Sequence, residues 1–368
     1  MKVFVQIPCL NEETTLPLVL DSIPKRIDGV DEIVVLVIDD GSSDRTVEVA
    51  REHGVTHFVR HARNMGLARS FRDGVDYALL NGADIIVNTD GDNQYPQDMI
   101  GQLVQPIIRG EAEIVIADRQ TAKIAHFSPF KKIMQRFGSW VVNRAAGTTL
   151  PDAASGFRAY SREAGIRLNV VTKFSYCMET IIQAGNKRLA ITSIPVTTNE
   201  KTRESRLFKN IWQHMFQSGS AIVRAYVMYK PYMIFANLGL FFLVIGLIPF
   251  IRYLVLVGTS VPGNHIQSLL VGTMLLTGSL LSFAIGVVAD LTRVNRTLQE
   301  EALDLLKLQR YAQNSAVQGS AVQNSAAQGS AVQGSAGGLE GEVVLDHRSD
   351  DLLKRPGRRP ANSRTQAR

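Results

Sequence analysis

Asp90-Gly91-Asp92 places two carboxylates one glycine apart, directly after the apolar run Ile85-Ile86-Val87-Asn88 and shortly before Pro96. The Asp-Gly pair and the proline both call for a turn. Carboxylates gathered at the end of a buried strand repel one another unless a cation sits between them and a ligand. Magnesium suits that place, because it takes one or two protein carboxylates and completes its shell with substrate phosphates and water. The spacing therefore points to a metal–diphosphate site, with an ordinary surface turn as the plainer alternative.

The elements around this segment decide between the two. Val3–Ile7, Ile33–Ile38, Val55–Val59, Ile85–Asn88 and Glu113–Ala117 are strand-like apolar runs. Helical stretches lie between them: Leu16–Ile23, Thr46–His53, Ala68–Leu80 and Met99–Ile108. Alternation of this kind predicts an α/β fold with a mainly parallel sheet and helices on both faces. Ligands of such sheets bind beyond the carboxyl ends of the strands. Three polar clusters fall at those ends: Pro8–Glu12, Asp39–Asp44 and Asp90–Gln94. Parallel strands bring all three to one rim, which favours the ligand site. Asp40 and Asp44 also suit turn and capping chemistry. Ile191–Thr198 reads as an edge strand, because it carries Pro195.

Ile7-Pro8-Cys9-Leu10-Asn11-Glu12, Asp39-Asp40-Gly41-Ser42-Ser43-Asp44-Arg45-Thr46, Asn64-Met65-Gly66 and Asp90-Gly91-Asp92 resemble the signatures of family 2 glycosyltransferases. Asp152-Ala153-Ala154-Ser155-Gly156-Phe157-Arg158-Ala159-Tyr160 is similar to a segment of the dolichol-phosphate mannosyltransferases and related polyprenyl-phosphate enzymes. The resemblance spans about residues 1–215 and implies the Rossmann-like GT-A fold. It implies that Pro8 and Glu12 border the nucleotide and that Asp39 contacts the base. It makes Asp90, Gly91 and Asp92 the diphosphate site, with Asp90, Asp92 and Gln94 as ligands for Mg2+ or Mn2+. A turn-stabilising role for Gln94 stays open. Arg119 matches an arginine that faces phosphates, against the alternative of a surface salt bridge to Asp118 or a neighbour. Lys131 and Arg136, on an amphipathic helix over Phe130–Ala146, match a region near the lipid phosphate. Asp152 is placed to orient the acceptor, to act as a base, or to pair with Arg158. Glu179 is an acceptor-side carboxylate or a cap. Arg203 and Arg206 lie in a charged loop, Glu200–Arg206, that resembles a mobile loop closing over the diphosphate.

Downstream of residue 206 the composition changes. Leu207–Lys230 mixes apolar positions with cations and reads as an interfacial helix within 207–231. Met233–Ile251 and Gln267–Ala289 each approach the roughly 20 residues that span hydrocarbon. They predict a two-helix hairpin within 232–291. Lys230 precedes it, Arg293 and Arg296 follow it, and no Lys or Arg lies in Tyr253–Ile266. That asymmetry predicts both flanks, and so the catalytic domain 1–206 and the C-terminus, on the cytoplasmic side. Arg252 can snorkel to the interface. Residues 292–311 read as a charged helical extension, and 312–368 as a low-complexity, disordered tail.

The formal charge of +6 over 368 residues is modest, and cations gather beside apolar segments and at the C-terminus. This argues for a membrane surface and anionic substrates rather than nucleic acid. Cys9 and Cys177 provide no disulfide framework and read as buried thiols. The expected activity is metal-dependent transfer of one sugar, by inversion, from a nucleotide sugar of the GDP-mannose or UDP-glucose type to a polyprenyl phosphate. Transfer to a lipid or glycan hydroxyl is the enzymatic alternative, and a catalytically inactive membrane scaffold the non-enzymatic one. A homo-oligomer is compatible with each.

Overall fold

The computed structural model describes residues 1–120, 129–171, 176–199, 231–259, 266–328 and 341–345. Strands β1 (Lys2–Cys9), β2 (Glu32–Asp39), β3 (His57–His61), β4 (Ile85–Asn88) and β5 (Ile114–Asp118) alternate with helices. The helices are α1 (Leu16–Ser22), α2 (Thr46–Glu52), α3 (Leu67–Leu80) and α4 (Ile100–Ile108). Then come α5 (Pro129–Ala146), β6 (Arg158–Ser161), α6 (Arg162–Arg167), α7 (Tyr176–Asn186) and β7 (Ile191–Pro195). The chain continues through α8 (Pro231–Gly258), α9 (Ile266–Gln328) and β8 (Gly341–Leu345). The sheet order is β7-β5-β6-β4-β1-β2-β3-β8, with β6 antiparallel to both its neighbours.

Successive residues of a strand face opposite sides of a sheet. Phe4, Leu36, Ile38 and Ile86 accordingly join one core with Phe71 and Tyr160. Val3, Val5, Ile7, Val37 and Val87 join a second core on the other face. The mainly parallel α/β sheet expected from the sequence is present, covered on both sides.

Three details differ from the sequence reading. First, β1 continues through Pro8 to Cys9, paired with β2 up to Cys9↔Asp39. The Gln6 carbonyl faces β4, where it accepts from Thr89 N, and the Cys9 carbonyl faces β2, where it accepts from Asp40 N. By alternation Pro8 faces the β4 side, where pairing has already ended at Gln6↔Asn88. Its missing N–H therefore costs the ladder nothing.

Second, β6 has no counterpart among the expected strands. Its first residue, Arg158, is fully buried, and a cation is a poor strand signal. Its guanidinium donates to the carbonyls of Ala153, Ser155 and Cys177 and to Thr180 Oγ1, all at 2.7–2.9 Å. Arg158 thus staples the 153–155 loop to α7.

Third, two elements extend past Tyr311. Helix α9 runs on to Gln328, since adding residues to an existing helix is far easier than nucleating one. Gly341–Leu345 pairs in parallel with the open edge of β3. The rest of the tail, with Lys354–Arg359, lies outside the described residues.

Helices α8 and α9 are both long and apolar enough to cross a membrane. Small residues line their contact. A Cβ at Gly246 would lie 2.9 Å from Leu275 Cβ, and one at Gly239 would lie 3.1 Å from the Phe283 ring. Ser279 Oγ donates to the Gly239 carbonyl at 2.8 Å. Close backbone approach with a buried polar bond is how helices associate in lipid. Leu240, Phe241, Ile248, Leu270, Met274 and Leu280 point outward and are exposed. So much contiguous apolar surface suits a bilayer rather than water.

Candidate functional site

The three polar clusters lie at the carboxyl ends of β2, β1 and β4, which are adjacent and parallel. Side chains knit the loops together. Asn11 N donates to Ser42 Oγ at 2.9 Å, and Ser43 N to Asn11 Oδ1 at 2.8 Å. Glu12 N donates to Thr46 Oγ1 at 2.8 Å. The Thr15 hydroxyl lies 2.7 Å from Glu12 Oε2 and 2.8 Å from the Gly91 carbonyl, tying the first loop to the third. Asn11, Asn93 and Gln120 all take positive φ, at 55°, 57° and 48°. Side-chain-bearing residues rarely adopt this conformation, and here it recurs in the loops after β1, β4 and β5.

The aspartates after β2 divide their work. Asp39 is buried; its Oδ1 accepts from Ser42 N at 2.9 Å, and its Oδ2 lies 3.6 Å from Arg60 Nε. Asp40 turns the other way. It accepts from Met65 N, Gly66 N and His61 Nδ1 at 2.7–2.9 Å, which fixes the Asn64–Gly66 loop. Asp44 accepts from Thr46 N at 3.0 Å and from Glu13 N at 3.2 Å. Asp40 and Asp44 are thus engaged in holding the loops, leaving Asp39 at the rim.

The Asp90–Gln94 turn presses against β1. A Cβ at Gly91 would lie 3.2 Å from Cys9 Sγ and 3.3 Å from Glu12 Cγ, so glycine permits the close approach. Gln94 donates through N and Nε2 to the two oxygens of Asp92, at 3.1 and 2.8 Å. In this arrangement Gln94 orients Asp92. Asn199 N then donates to the Gln94 carbonyl at 2.9 Å, and Asn199 Nδ2 to that of Asn93 at 3.0 Å. The chain therefore crosses this turn just before residue 200.

Electrostatics at the rim are strongly negative. Burial, and then the fields of Glu12, Asp39, Asp44 and Asp90, push the Cys9 thiol well above its ordinary range. The other donors in these rim loops are carboxylate, amide and carbonyl oxygens, the hard type that Mg2+ and Mn2+ take. Among the described residues no group of three His, Cys, Asp or Glu side chains is placed to hold a metal.

Across the rim, Arg119 forms a two-pronged ion pair with Asp152: Nε to Oδ2 at 2.7 Å and Nη2 to Oδ1 at 3.0 Å. Asp118 instead accepts from Gln120 N at 2.9 Å, the turn that turns Arg119 inward. Arg119 is thus in an ion pair, with Asp152 rather than Asp118 as its partner, and the pairing of Asp152 with Arg158 is corrected, since Arg158 donates to carbonyls and to Thr180. Asp152 Oδ1 also accepts from Ala154 N at 3.2 Å. Burial opposes charge on Arg119, but the hydrogen bonds and attraction of Asp152 outweigh it and keep the guanidinium protonated.

Behind Asp90 lies a buried network that sequence reasoning missed. Asn88 Nδ2 donates to the Gly156 carbonyl at 3.0 Å and to Tyr176 Oη at 2.7 Å, and Gln6 Nε2 donates to Asn88 Oδ1 at 2.9 Å. Gly156 N donates to Tyr95 Oη at 3.0 Å. Burial pushes the Tyr95 phenol up to about 12, so it stays neutral. A Cβ at Gly156 would meet Tyr176 Oη at 3.1 Å and the Asp90 carboxylate at 3.4 Å. The one available signal was a polar Asn88 ending an otherwise apolar strand.

The remaining expected residues divide into three groups. Pro8 lies at the carboxyl end of β1, and Glu12 in the loop that follows it. Arg136 is exposed on α5, and Glu179 is buried, accepting from Val171 N at 3.2 Å, so it anchors a loop. The Lys131 side chain, Arg203, Arg206 and the 207–230 segment lie outside the described residues.

A family model described as glycosyl transferase family 2 matches residues 4–167. An uncharacterized protein of Methanocaldococcus jannaschii is 30% identical over 231 residues, covering 58% of this chain and 93% of the relative. The chain belongs to glycosyl transferase family 2. The UDP-N-acetylglucosamine–dolichyl-phosphate N-acetylglucosaminyltransferase of Methanococcus voltae is 27% identical, covering 53% of this chain and 85% of that protein. Polyprenol monophosphomannose synthase of Mycolicibacterium smegmatis is 24% identical, covering 54% and 78%. Among solved structures, glucosyl-3-phosphoglycerate synthase from Mycobacterium tuberculosis, in complex with Mn2+, UDP and glucosyl-3-phosphoglycerate, superposes with a TM-score of 0.47. It is 21% identical and covers 61% of this chain and 78% of its own.

Proposed function

We propose that this chain is a membrane-anchored inverting glycosyltransferase that moves one sugar from a nucleotide-diphosphate sugar to a polyprenyl phosphate. The observation that carries this reading is the meeting of Asp39, Asp90 and Asp92 at one sheet rim, in a chain that continues into two membrane-length helices. The relatives named for dolichyl phosphate and for polyprenol support the acceptor class, while their sugars differ.

Asp39 would accept a ring N–H of a uracil or guanine base, with Pro8 and Glu12 bordering the nucleotide. Asp90 and Asp92 would hold Mg2+ or Mn2+, with Gln94 orienting Asp92. That ion supplies neutralisation of charge gathering on the departing diphosphate. Arg119, aimed by Asp152, would offer a second cation to phosphate oxygens. Lys131, Arg136, Arg203 and Arg206 would draw the two phosphate-bearing substrates together.

In the transfer step an oxygen of the acceptor phosphate forms a bond to the anomeric carbon. The bond from that carbon to the diphosphate breaks, and the diphosphate leaves with the electron pair. The acceptor phosphate is ionised near neutral pH, so no proton must be removed. This agrees with an Asp152 carboxylate whose two oxygens are already engaged. Lys230 before the hairpin, with Arg293 and Arg296 after it, supports a cytoplasmic catalytic domain.

The test is incubation of membranes containing the protein with a panel of labelled nucleotide sugars and polyprenyl phosphate. The expected product is a labelled, acid-labile lipid. An acid-stable glycolipid points to a hydroxyl acceptor instead, and the absence of any labelled lipid across the panel overturns the reading.

A further inference from the structure

Arg60 lies beside Asp39 in the β2–β3 register and faces carboxylates from two directions. Its Nε is 3.6 Å from Asp39 Oδ2, and its Nη1 is 3.2 Å from Glu342 Oε1 on β8. Glu342 is itself fixed, because its other oxygen pairs with Arg51. The Arg51 guanidinium lies 5.4 Å over the Phe58 ring. The strand is anchored at its first residue too: Tyr77 Oη donates to the Gly341 carbonyl at 2.9 Å. Its pairing runs from His57↔Gly341 to His61↔Leu345.

We infer that Arg60 is a specificity residue of the donor site, with Glu342 of the C-terminal strand as its positioning residue, so that Arg60 and Asp39 together read the nucleotide base. The inference rests on the proposed role of Asp39. Uracil and guanine each carry a ring N–H next to a carbonyl oxygen. A carboxylate takes the N–H, and a guanidinium, which is planar and only donates, serves the carbonyl or stacks on the ring.

The 3.6 Å separation carries the argument. It is an ion-pair distance and not a hydrogen bond. Glu342 shares the cation from the outside and holds it back from Asp39. With that charge removed, Arg60 closes on Asp39 Oδ2 and competes with the base for it. The tail strand is thus part of the donor site, although it enters more than 280 residues after Arg60.

The experiment uses the full chain in lipid nanodiscs with Mn2+, titrated separately with UDP and with GDP. Arg60 and Glu342 are each about one third exposed, so solvent screens their attraction. Glu342→Gln should therefore weaken the nucleotide that binds by about three- to fivefold. The donor KM should rise in step while kcat moves less than about twofold. Arg60→Ala should weaken binding further, and adding Glu342→Gln to it should change nothing more, because Glu342 acts through Arg60. An unaltered Kd in Glu342→Gln, or fully additive effects, overturns the inference and leaves the proposed activity standing. A lowered kcat and melting temperature with an unchanged KM marks a purely structural strand and overturns it as well. A wild-type chain that binds neither nucleotide overturns the donor-site reading and this inference with it.

Discussion

Asp152 holds Arg119 by two parallel contacts, Nε–Oδ2 at 2.7 Å and Nη2–Oδ1 at 3.0 Å, across the gap between the β5 end and the 152–157 loop. The Asp152 carboxylate is almost wholly buried and Arg119 is partly open. That asymmetry suits a buried anchor with an exposed working end. Arg119→Ala should lower kcat by about 10²-fold, the scale for losing one donor to developing charge. Asp152→Asn should lose nearly as much, since the guanidinium is then misaimed. The double variant should be no worse than Arg119→Ala. Steady-state kinetics decide it: multiplied losses would give Asp152 an independent role, such as the base that a hydroxyl acceptor requires.

A second prediction concerns the cation. Asp92→Ala should abolish metal-dependent donor turnover while the far-ultraviolet circular dichroism and membrane insertion are retained. Gln94→Ala removes the 2.8 Å bond from Nε2 to Asp92, and should raise the Mn2+ concentration needed for half-maximal rate by about tenfold. Metal titrations after chelator treatment measure both. Undiminished turnover by Asp92→Ala would remove the metal assignment.

Strands β1, β2, β4 and β5 were legible because each is a nearly continuous apolar run, the mark of a strand covered on both faces. The rim clusters followed, since parallel order fixes which strand ends meet. Arg158 was not legible. A buried arginine is tolerated only where carbonyls surround it, and those come from residues 153, 155 and 177, distant in sequence or in a turn. The partner of Arg119 lies 33 residues away and depends on the same fold. β8 was hidden for a different reason. Gly341-Glu342-Val343-Val344-Leu345 is short and follows a low-complexity stretch, and it gains order only from an edge that another part of the chain leaves open.

His61 yields a pH prediction. Its ring is enclosed between Asp40 Oδ1 at 2.7 Å and Asp73 Oδ2 at 3.2 Å. Burial opposes protonation, but hydrogen bonds and attraction from the two aspartates outweigh it and raise the imidazole to about 9. The unfolded value is about 6.5. The folded pKa is therefore the higher one, and protonation contributes stability that is fully present below about 6.5 and lost as pH rises through about 9. Chemical denaturation across this range should show the wild type losing stability between neutral pH and pH of about 10. His61→Asn, which cannot gain the charge, should be less stable at neutral pH and flatter over the same window. Equal slopes for the two proteins would refute the charged-imidazole assignment.

The last prediction follows from α9, which leaves the apolar hairpin and docks on the catalytic domain without a break. Tyr311 Oη donates to Asp76 Oδ1 at 2.9 Å, and Lys307 Nζ to Asn169 Oδ1 at 2.6 Å. Asp304 accepts from Lys187 Nζ at 2.7 Å and from Asn169 Nδ2 at 2.9 Å. Tyr311 is buried within the core that includes Phe71 and Tyr160. An α-helix rises 1.5 Å per residue, so roughly 22 Å of continuous helix separates Ala289 from Asp304. In the proposed membrane-anchored enzyme such a strut would set where the rim stands relative to a lipid headgroup. The triple change Asp304→Ala, Lys307→Ala and Tyr311→Phe should raise the KM for polyprenyl phosphate in vesicles by about fivefold or more, because orientation toward the bilayer is lost. Transfer to a short-chain, water-soluble polyprenyl phosphate should be nearly unaffected, since the rim itself is intact. Equal losses with both acceptors would show that the contact only stabilises the catalytic fold, and would refute a role in presenting the site to the membrane.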